Sequence, residues 1–149
     1  MSNVNQALNT GSQATNNYDL SKIFVYNNRY ETETINNSEY DPMTIKAGTV
    51  MGRIAGTKNV WPCVASATDG SQHPIGVIAA DVSILDGTSL NVPICISGDV
   101  VKEKIIMWNT PTDTLDTVLV SRQRIYRDLI NDLGIKVVPG TDNTYLDNQ

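Results

Sequence analysis

The sequence has little of the chemistry that enzymes use. Its 149 residues include one histidine, His73, so a metal site with two histidine ligands is excluded. His73 and the two cysteines, Cys63 and Cys95, do not have the paired spacing of structural zinc ligands. No phosphate-binding loop, dinucleotide-binding fingerprint or nucleophile elbow is present. We therefore expect a protein that is not an enzyme, with no catalytic residues, no metal and no cofactor.

The two cysteines lie in apolar, strand-like segments about thirty residues apart. The simplest interpretation is that Cys63 and Cys95 are small buried hydrophobic residues. A disulfide between them stays open, because sequence spacing alone does not fix pairing. His73 is followed by Pro74, which is typical of a loop residue, and nothing local places it beside either thiol as a nucleophile and base would require.

Runs of basic residues are also absent, and the formal net charge is −5. Proteins that bind nucleic acid without sequence preference neutralise phosphates with Lys and Arg, so we expect no nucleic-acid partner. The clustered cations Arg122, Arg124 and Arg127 alternate with apolar residues and are interpreted as a solvated helix face. No apolar run approaches the ~20 residues of a membrane span, and the first residues do not resemble a signal peptide. We expect no membrane partner and synthesis in a cytoplasm.

Composition divides the chain into three parts. Residues 1–41 begin with a tract rich in Asn, Gln, Ser and Thr, which predicts an extended N-terminal arm that is partly disordered when free. Residues 42–139 form the predicted domain, and residues 140–149 a polar tail. The arm also carries aromatic and aliphatic residues that are candidate contacts with a partner: Tyr18, Leu20, Ile23, Phe24, Val25, Tyr26 and Tyr30. The alternative is that residues 23–26 form the first strand of the domain's own sheet.

Short apolar segments alternate with glycine-containing turns through most of the predicted domain. Residues 90–96 carry an apolar side chain at every second position, as in a half-buried strand. Such segments recur roughly every 8–12 residues, which is typical of a β-sandwich or barrel. Helical spacing then predicts a helix over about residues 114–133, followed by Gly134 as its C-terminal cap. The fold class is therefore α+β and mainly β, with one C-terminal helix.

An ordered set of short motifs runs through the domain. They are AGTVMGR at residues 47–53, TDGS at 68–71 before IGVI at 75–78, SGDV at 97–100, IIMW at 105–108 and LGIKVV at 133–138. Together these segments resemble the lambda-type phage head decoration family. One departure is that the family's tryptophan is usually followed directly by proline, whereas Trp108 precedes Asn109, Thr110 and Pro111.

The resemblance implies a small barrel-like or sandwich-like domain of the β-tulip type that forms a homotrimer. Such trimers bind the outer surface of the expanded head at threefold and quasi-threefold positions, where they stabilise the shell against internal DNA pressure. The resemblance further implies that the N-terminal arm contacts the major capsid protein. Trp61 and Trp108 are candidate residues of the trimer interface, and the alternative is that they are core tryptophans. A virion module that binds a glycan or host surface, and a tail or vertex adaptor, stay open as other functions.

Overall fold

Ten strands, one 3₁₀ turn and one short helix make up the part of the chain that the computed structural model describes, residues 23–37 and 41–139. The strands are β1 (Phe24–Asn37), β2 (Met43–Ile45), β3 (Val50–Arg53), β4 (Val60–Pro62), β5 (Pro74–Ile78), β6 (Val82–Ile84), β7 (Thr88–Val101), β8 (Val118–Leu119), β9 (Arg124–Ile125) and β10 (Ile135–Val138). The 3₁₀ turn is Lys102–Lys104, and the helix α1 is Tyr126–Asp132.

Two long strands organise the sheet. β1 and β7 are each 14 residues long and pair antiparallel from Phe24 opposite Val100 to Asn37 opposite Thr88. The other edge of β7 pairs with β5 and, farther along, in parallel with β10. β3 connects β5 to β4, and β4 returns to β1, so five strands close into a barrel-like sheet in the order β1-β4-β3-β5-β7. Closure leaves few strand edges open to pairing with other chains.

The barrel strands bury side chains on both faces, because successive residues of a strand point to opposite sides. Val50 of β3 and Val77 of β5 belong to one buried cluster, which α1 and β10 cover. Their neighbours Met51 and Ile78 belong to a second buried cluster, which the two-stranded antiparallel sheet of β2 and β6 covers. The predicted mainly β domain with a C-terminal helix is confirmed.

The helix is much shorter than the sequence pattern predicts. Helical spacing indicated residues 114–133, whereas residues 114–125 form turns and the β8–β9 hairpin before α1 begins. The hydroxyl of Thr117 accepts a hydrogen bond from the backbone N–H of Thr114. The hydroxyl of Thr114 in turn accepts a hydrogen bond from the backbone N–H of Asp116. Such local bonds compete with the helical ladder. Arg122, in the hairpin turn, and Arg124, in β9, therefore lie outside the helix that was expected to carry them.

A second difference concerns the predicted N-terminal arm, residues 1–41. Its described part is mostly β1, in which Ile35 and Asn37 are fully buried, and Ile23 packs against the first cluster. The alternative that residues 23–26 begin the domain's own sheet is what the structure has, because the backbone of β1 finds its hydrogen-bond partners along β7. Residues 1–22, 38–40 and 140–149 lie outside the described residues, and with them Tyr18, Leu20 and the polar tail.

Tyr126 joins α1 to the loop between β4 and β5. Its ring is fully buried, and its hydroxyl donates a hydrogen bond to the backbone oxygen of Gln72 at 2.7 Å. The thiol of Cys63 donates to the same oxygen at 3.2 Å. Burial raises the pKa of the Cys63 thiol to about 12 and also raises the pKa of the Tyr126 hydroxyl. Both groups are therefore neutral donors at ordinary pH.

The ionisation of Cys63 makes stability depend on alkaline pH. A thiol with an ordinary pKa of 9.0 in the unfolded chain and about 12 in the fold contributes its full stabilisation below pH 9.0, and loses it as pH rises towards about 12. We expect the free energy of unfolding to fall by about 1.4 kcal/mol per pH unit from this group. Urea denaturation from pH 9 upward should show a shallower fall for Cys63→Ala, and equal slopes would contradict this assignment.

Gly52 of β3 passes directly beneath the loop before β5. A Cβ at Gly52 would lie 2.0 Å from the backbone oxygen of Ser71 and 2.8 Å from that of His73. Because both obstacles are backbone, we expect Gly52→Ala to lower the free energy of unfolding by about 3 kcal/mol. Urea denaturation followed by far-UV circular dichroism measures this. Gly56→Ala is the matched control, since nothing lies within 4 Å of its Cβ position; comparable losses in the two variants would disprove the packing argument.

Candidate functional site

The polar groups of the described residues are used to hold the structure together. Within residues 23–37 and 41–139, no group of three or more His, Cys, Asp and Glu side chains is placed to hold a metal ion. In the same residues, no helix is long and apolar enough to cross a membrane. Cys63 and Cys95 are free and buried, which agrees with the simpler of the two interpretations of the sequence. Three surfaces of the described residues are candidate sites.

The first surface is the N-terminal half of β1. Opposite β7, the other edge of β1 is paired only at Ile35, with Val60 of β4, as far as the described residues go. Tyr26 is 63% exposed and Tyr30 is 49% exposed. An unpaired strand edge with exposed tyrosines is a surface that can receive an extended segment of another protein.

The residues predicted to form the arm's contacts are divided between this surface and the core. Ile23 and Phe24 pack against the first buried cluster, and Val25 is half-buried. The ring of Phe24 also meets that of Tyr30 edge to face, with centroids 5.9 Å apart. Phe24 thus packs against the ring of Tyr30. Among the described residues of the predicted set, Tyr26 and Tyr30 have the most exposed side chains.

Irregular pairing shapes this end of β1. The register with β7 shifts between Phe24 and Tyr30, and Asn27 has a φ of 53°. Opposite, Gly98 has a φ of 109°, and a Cβ there would lie 2.6 Å from the Cα of Asn28. The Asn28 side chain donates a hydrogen bond to the backbone oxygen of Asp99 at 3.0 Å. Bulges of this kind bend a strand and redirect its side chains.

An ion pair fixes the next part of β1 to the barrel. The guanidinium of Arg53 in β3 donates to both carboxylate oxygens of Glu33, at 3.1 and 2.5 Å. A bidentate pair fixes orientation as well as distance. It raises the pKa of Arg53, first through the hydrogen bond to Glu33. The exposed end of β1 is therefore attached to the core at Phe24, and Glu33 links the next part of the strand to β3.

The second surface brings the two tryptophans together. Trp61 of β4 and Trp108 line one open groove of about 390 Å³ together with Asp41, Pro42 and Met43. We call these five residues the tryptophan groove. Trp61 packs partly against the second buried cluster, whereas Trp108 is 38% exposed. Of the two interpretations of these residues, a purely core role fits Trp61 in part and does not fit Trp108.

The sequence did not predict the third surface, because its residues were expected to be helical. The β8–β9 hairpin exposes Val118 and Val120, at 51% and 84%. The signal that could have revealed it is the density of β-branched residues between Thr110 and Val120, which disfavour a helix and favour strands.

Comparison with known proteins gives one finding on the family. The family model described as bacteriophage lambda head decoration protein D matches residues 12–120. This range includes the exposed end of β1 and the whole tryptophan groove. No curated protein matches the chain. Since the family model covers well over half of the sequence, the chain belongs to the family of the bacteriophage lambda head decoration protein D.

Proposed function

We propose that the protein is a capsid decoration, or cement, protein that binds as a homotrimer to the outer surface of the expanded head. In this role it stabilises the shell against internal DNA pressure, and its partner is the major capsid protein at threefold and quasi-threefold positions. The observation that carries the proposal is the family match over residues 12–120, because head decoration is a structural role on a virion. The acidic net charge of −5 agrees with a position outside the shell, away from the packaged DNA.

The capsid-binding surface consists of the exposed end of β1 and the segment that precedes it. Tyr26 and Tyr30 stand beside the unpaired edge of β1, and the preceding segment contributes Tyr18 and Leu20. Main-chain hydrogen bonds to a strand edge provide affinity, and alternate side chains provide specificity. Tyrosine suits this surface because it buries a large area with few rotatable bonds. Ile23, Phe24 and Val25 act mainly from within, by holding β1 against the core.

Three copies at one lattice point make weak individual contacts effective. Ordering an extended segment costs several kcal/mol, so one copy alone binds weakly. When three copies are joined, the second and third contacts are intramolecular and raise avidity by ~10²–10⁴. Trp61 and Trp108 belong to the interface between copies in this proposal, because their groove is an aromatic-lined concavity on the described surface.

One observation favours a second function. Glycan binding requires exposed aromatic side chains on the folded domain, and the tryptophan groove supplies them in an open cavity. A virion-associated module for a glycan or host surface is therefore the alternative. A tail or vertex adaptor, the remaining alternative, would differ in the number of copies per particle.

Co-sedimentation with expanded empty capsids tests the decoration role. We expect the full chain to bind near one trimer per local threefold position. Binding at only a few copies per particle would support a vertex or tail adaptor, and no binding would overturn the capsid role.

Variants in the capsid-binding surface test its residues. Removing residues 1–40 is unsuitable, because this deletion takes away β1 and with it the barrel. We expect removal of residues 1–20, or Tyr26→Ser, to lower shell affinity by about tenfold or more, because avidity multiplies each lost contact. Far-UV circular dichroism should show that each variant keeps the β fold. Leu85→Ser is the matched control, since Leu85 is 65% exposed but precedes the far end of β7. Full shell affinity of the truncated chain would show that the segment is not a capsid contact.

A further inference from the structure

The tip of the β8–β9 hairpin carries the most exposed large apolar side chain of the described residues. Val120 is 84% exposed and Val118 is 51% exposed, while Leu119 between them is buried. This alternation is that of a strand with one face on the core and one face outward. The outward face displays two β-branched apolar side chains, of which Val118 is half-exposed and Val120 is mostly exposed.

The hairpin tip, residues 120–123, is held in one conformation. The backbone N–H groups of Arg122 and Gln123 donate to the oxygen of Leu119 at 3.0 and 2.8 Å, which closes a tight turn. Arg124 at the base of the tip forms an ion pair with Asp132 of α1. Four consecutive exposed residues on a closed turn make a small rigid projection rather than a flexible loop.

The tip is cationic as well as apolar. Arg124 and Arg127 are paired with Asp132 and Asp116, whereas Arg122 has no ion-pair partner within residues 23–37 and 41–139. The pKa of His73 is lowered first by burial and then by the positive charge of Arg122. The guanidinium of Arg122 therefore offers all its donors to a partner.

The tryptophan groove has the complementary character. Among the described residues, its lining consists of two indole rings, Pro42, Met43 and one carboxylate, that of Asp41, and includes no cationic side chain. A guanidinium is attracted to the face of an indole ring and pairs strongly with a carboxylate. Valine side chains gain by leaving water for an apolar surface. The groove therefore fits an apolar projection that carries one positive charge.

We propose that the hairpin tip of one copy seats in the tryptophan groove of a neighbouring copy, with Arg122 directed at Trp108 and Asp41. Projection and groove belong to the same chain, and they are opposite in shape and charge. A contact between two different patches of identical subunits is head-to-tail, and closing it around an axis gives a ring. This inference rests on the trimer of the proposed function and names the surfaces that would form it.

Electrostatics explains why the contact between the hairpin tip and the groove includes a charge pair. Each copy carries a net charge of −5, so three copies repel one another at long range. A local pair of opposite charge fixes the register of the contact and suppresses wrong pairings. A purely apolar contact would bury surface area without selecting one register.

The chain contains two tryptophans, and both line the groove, so intrinsic fluorescence reports directly on its occupancy. We expect tryptophan emission to move to shorter wavelength as the concentration of the purified protein rises and copies associate. Sedimentation equilibrium on the same samples gives the mass. If the emission stays constant while the mass rises to that of a trimer, the trimer forms but the hairpin tip does not occupy the groove, and the proposal is wrong.

Exchange of the two charges tests the pairing. We expect Arg122→Glu and Asp41→Lys each to weaken association by about tenfold or more, and the double variant to recover most of the loss because the pair is restored in reverse. Lys136→Glu is the matched control, since it makes the same charge change at an exposed position of β10. Far-UV circular dichroism should first show that every variant is folded. If the double variant then loses as much association free energy as the two single variants together, the proposal is wrong.

Two further results would separate this proposal from the function on which it rests. Full binding of a monomeric wild-type chain to expanded capsids, with the same affinity for Arg122→Glu, would overturn the contact between copies and support decoration without it. Titration with methyl glycosides is the second measurement. A shift of tryptophan emission in monomeric protein on adding a glycoside, abolished by Trp108→Ala, would overturn the seat in favour of a glycan site.

Discussion

The antiparallel pairing of β1 with β7 is the interaction on which the rest of the structure depends. It runs over 14 residues of each strand and joins the beginning of the described chain to its middle. Without β1 the barrel would lose the strand that links β7 to β4 and would open into a sheet with unpaired edges. The hydrogen bonds of this ladder also decide which part of the N-terminal region belongs to the domain, because a buried backbone needs partners.

The same ladder determines which side chains of β1 are buried and which are exposed. Where β1 and β7 are regular, Ile35 is buried and Glu33 is held by Arg53. Where the register shifts, the strand bends and Tyr26 and Tyr30 face solvent beside an edge that no other described strand occupies. One strand thus contributes to stability through its buried end and to the exposed surface through its irregular end. This division suits a protein whose role in its family is structural.

The remaining surfaces follow from how the C-terminal third is attached. Tyr126 and the thiol of Cys63 share the carbonyl of Gln72 and fix α1 to the barrel. The β8–β9 hairpin directly precedes α1, and the ion pair of Arg124 with Asp132 links the two. The tryptophan groove forms at a separate place, where β2, β4 and the segment after Met107 meet. A rigid projection and a rigid cavity on one small domain are the elements from which a symmetric assembly can be made.

The sequence by itself determined the mainly β class, the turns and the family resemblance, because alternation and glycine positions are local properties. Gly98 and Gly134, for example, have the positive φ angles that such turns require. Only the tertiary structure decided that β1 joins the domain's own sheet, that α1 begins at Tyr126 and that the two tryptophans share one groove. The first and the third depend on partners far away in the chain, and the start of α1 depends on how the preceding turns fold. Strand pairing across some sixty residues leaves no periodic trace in either segment, and local bonds of Thr114 and Thr117 outweigh helical spacing only in their folded context.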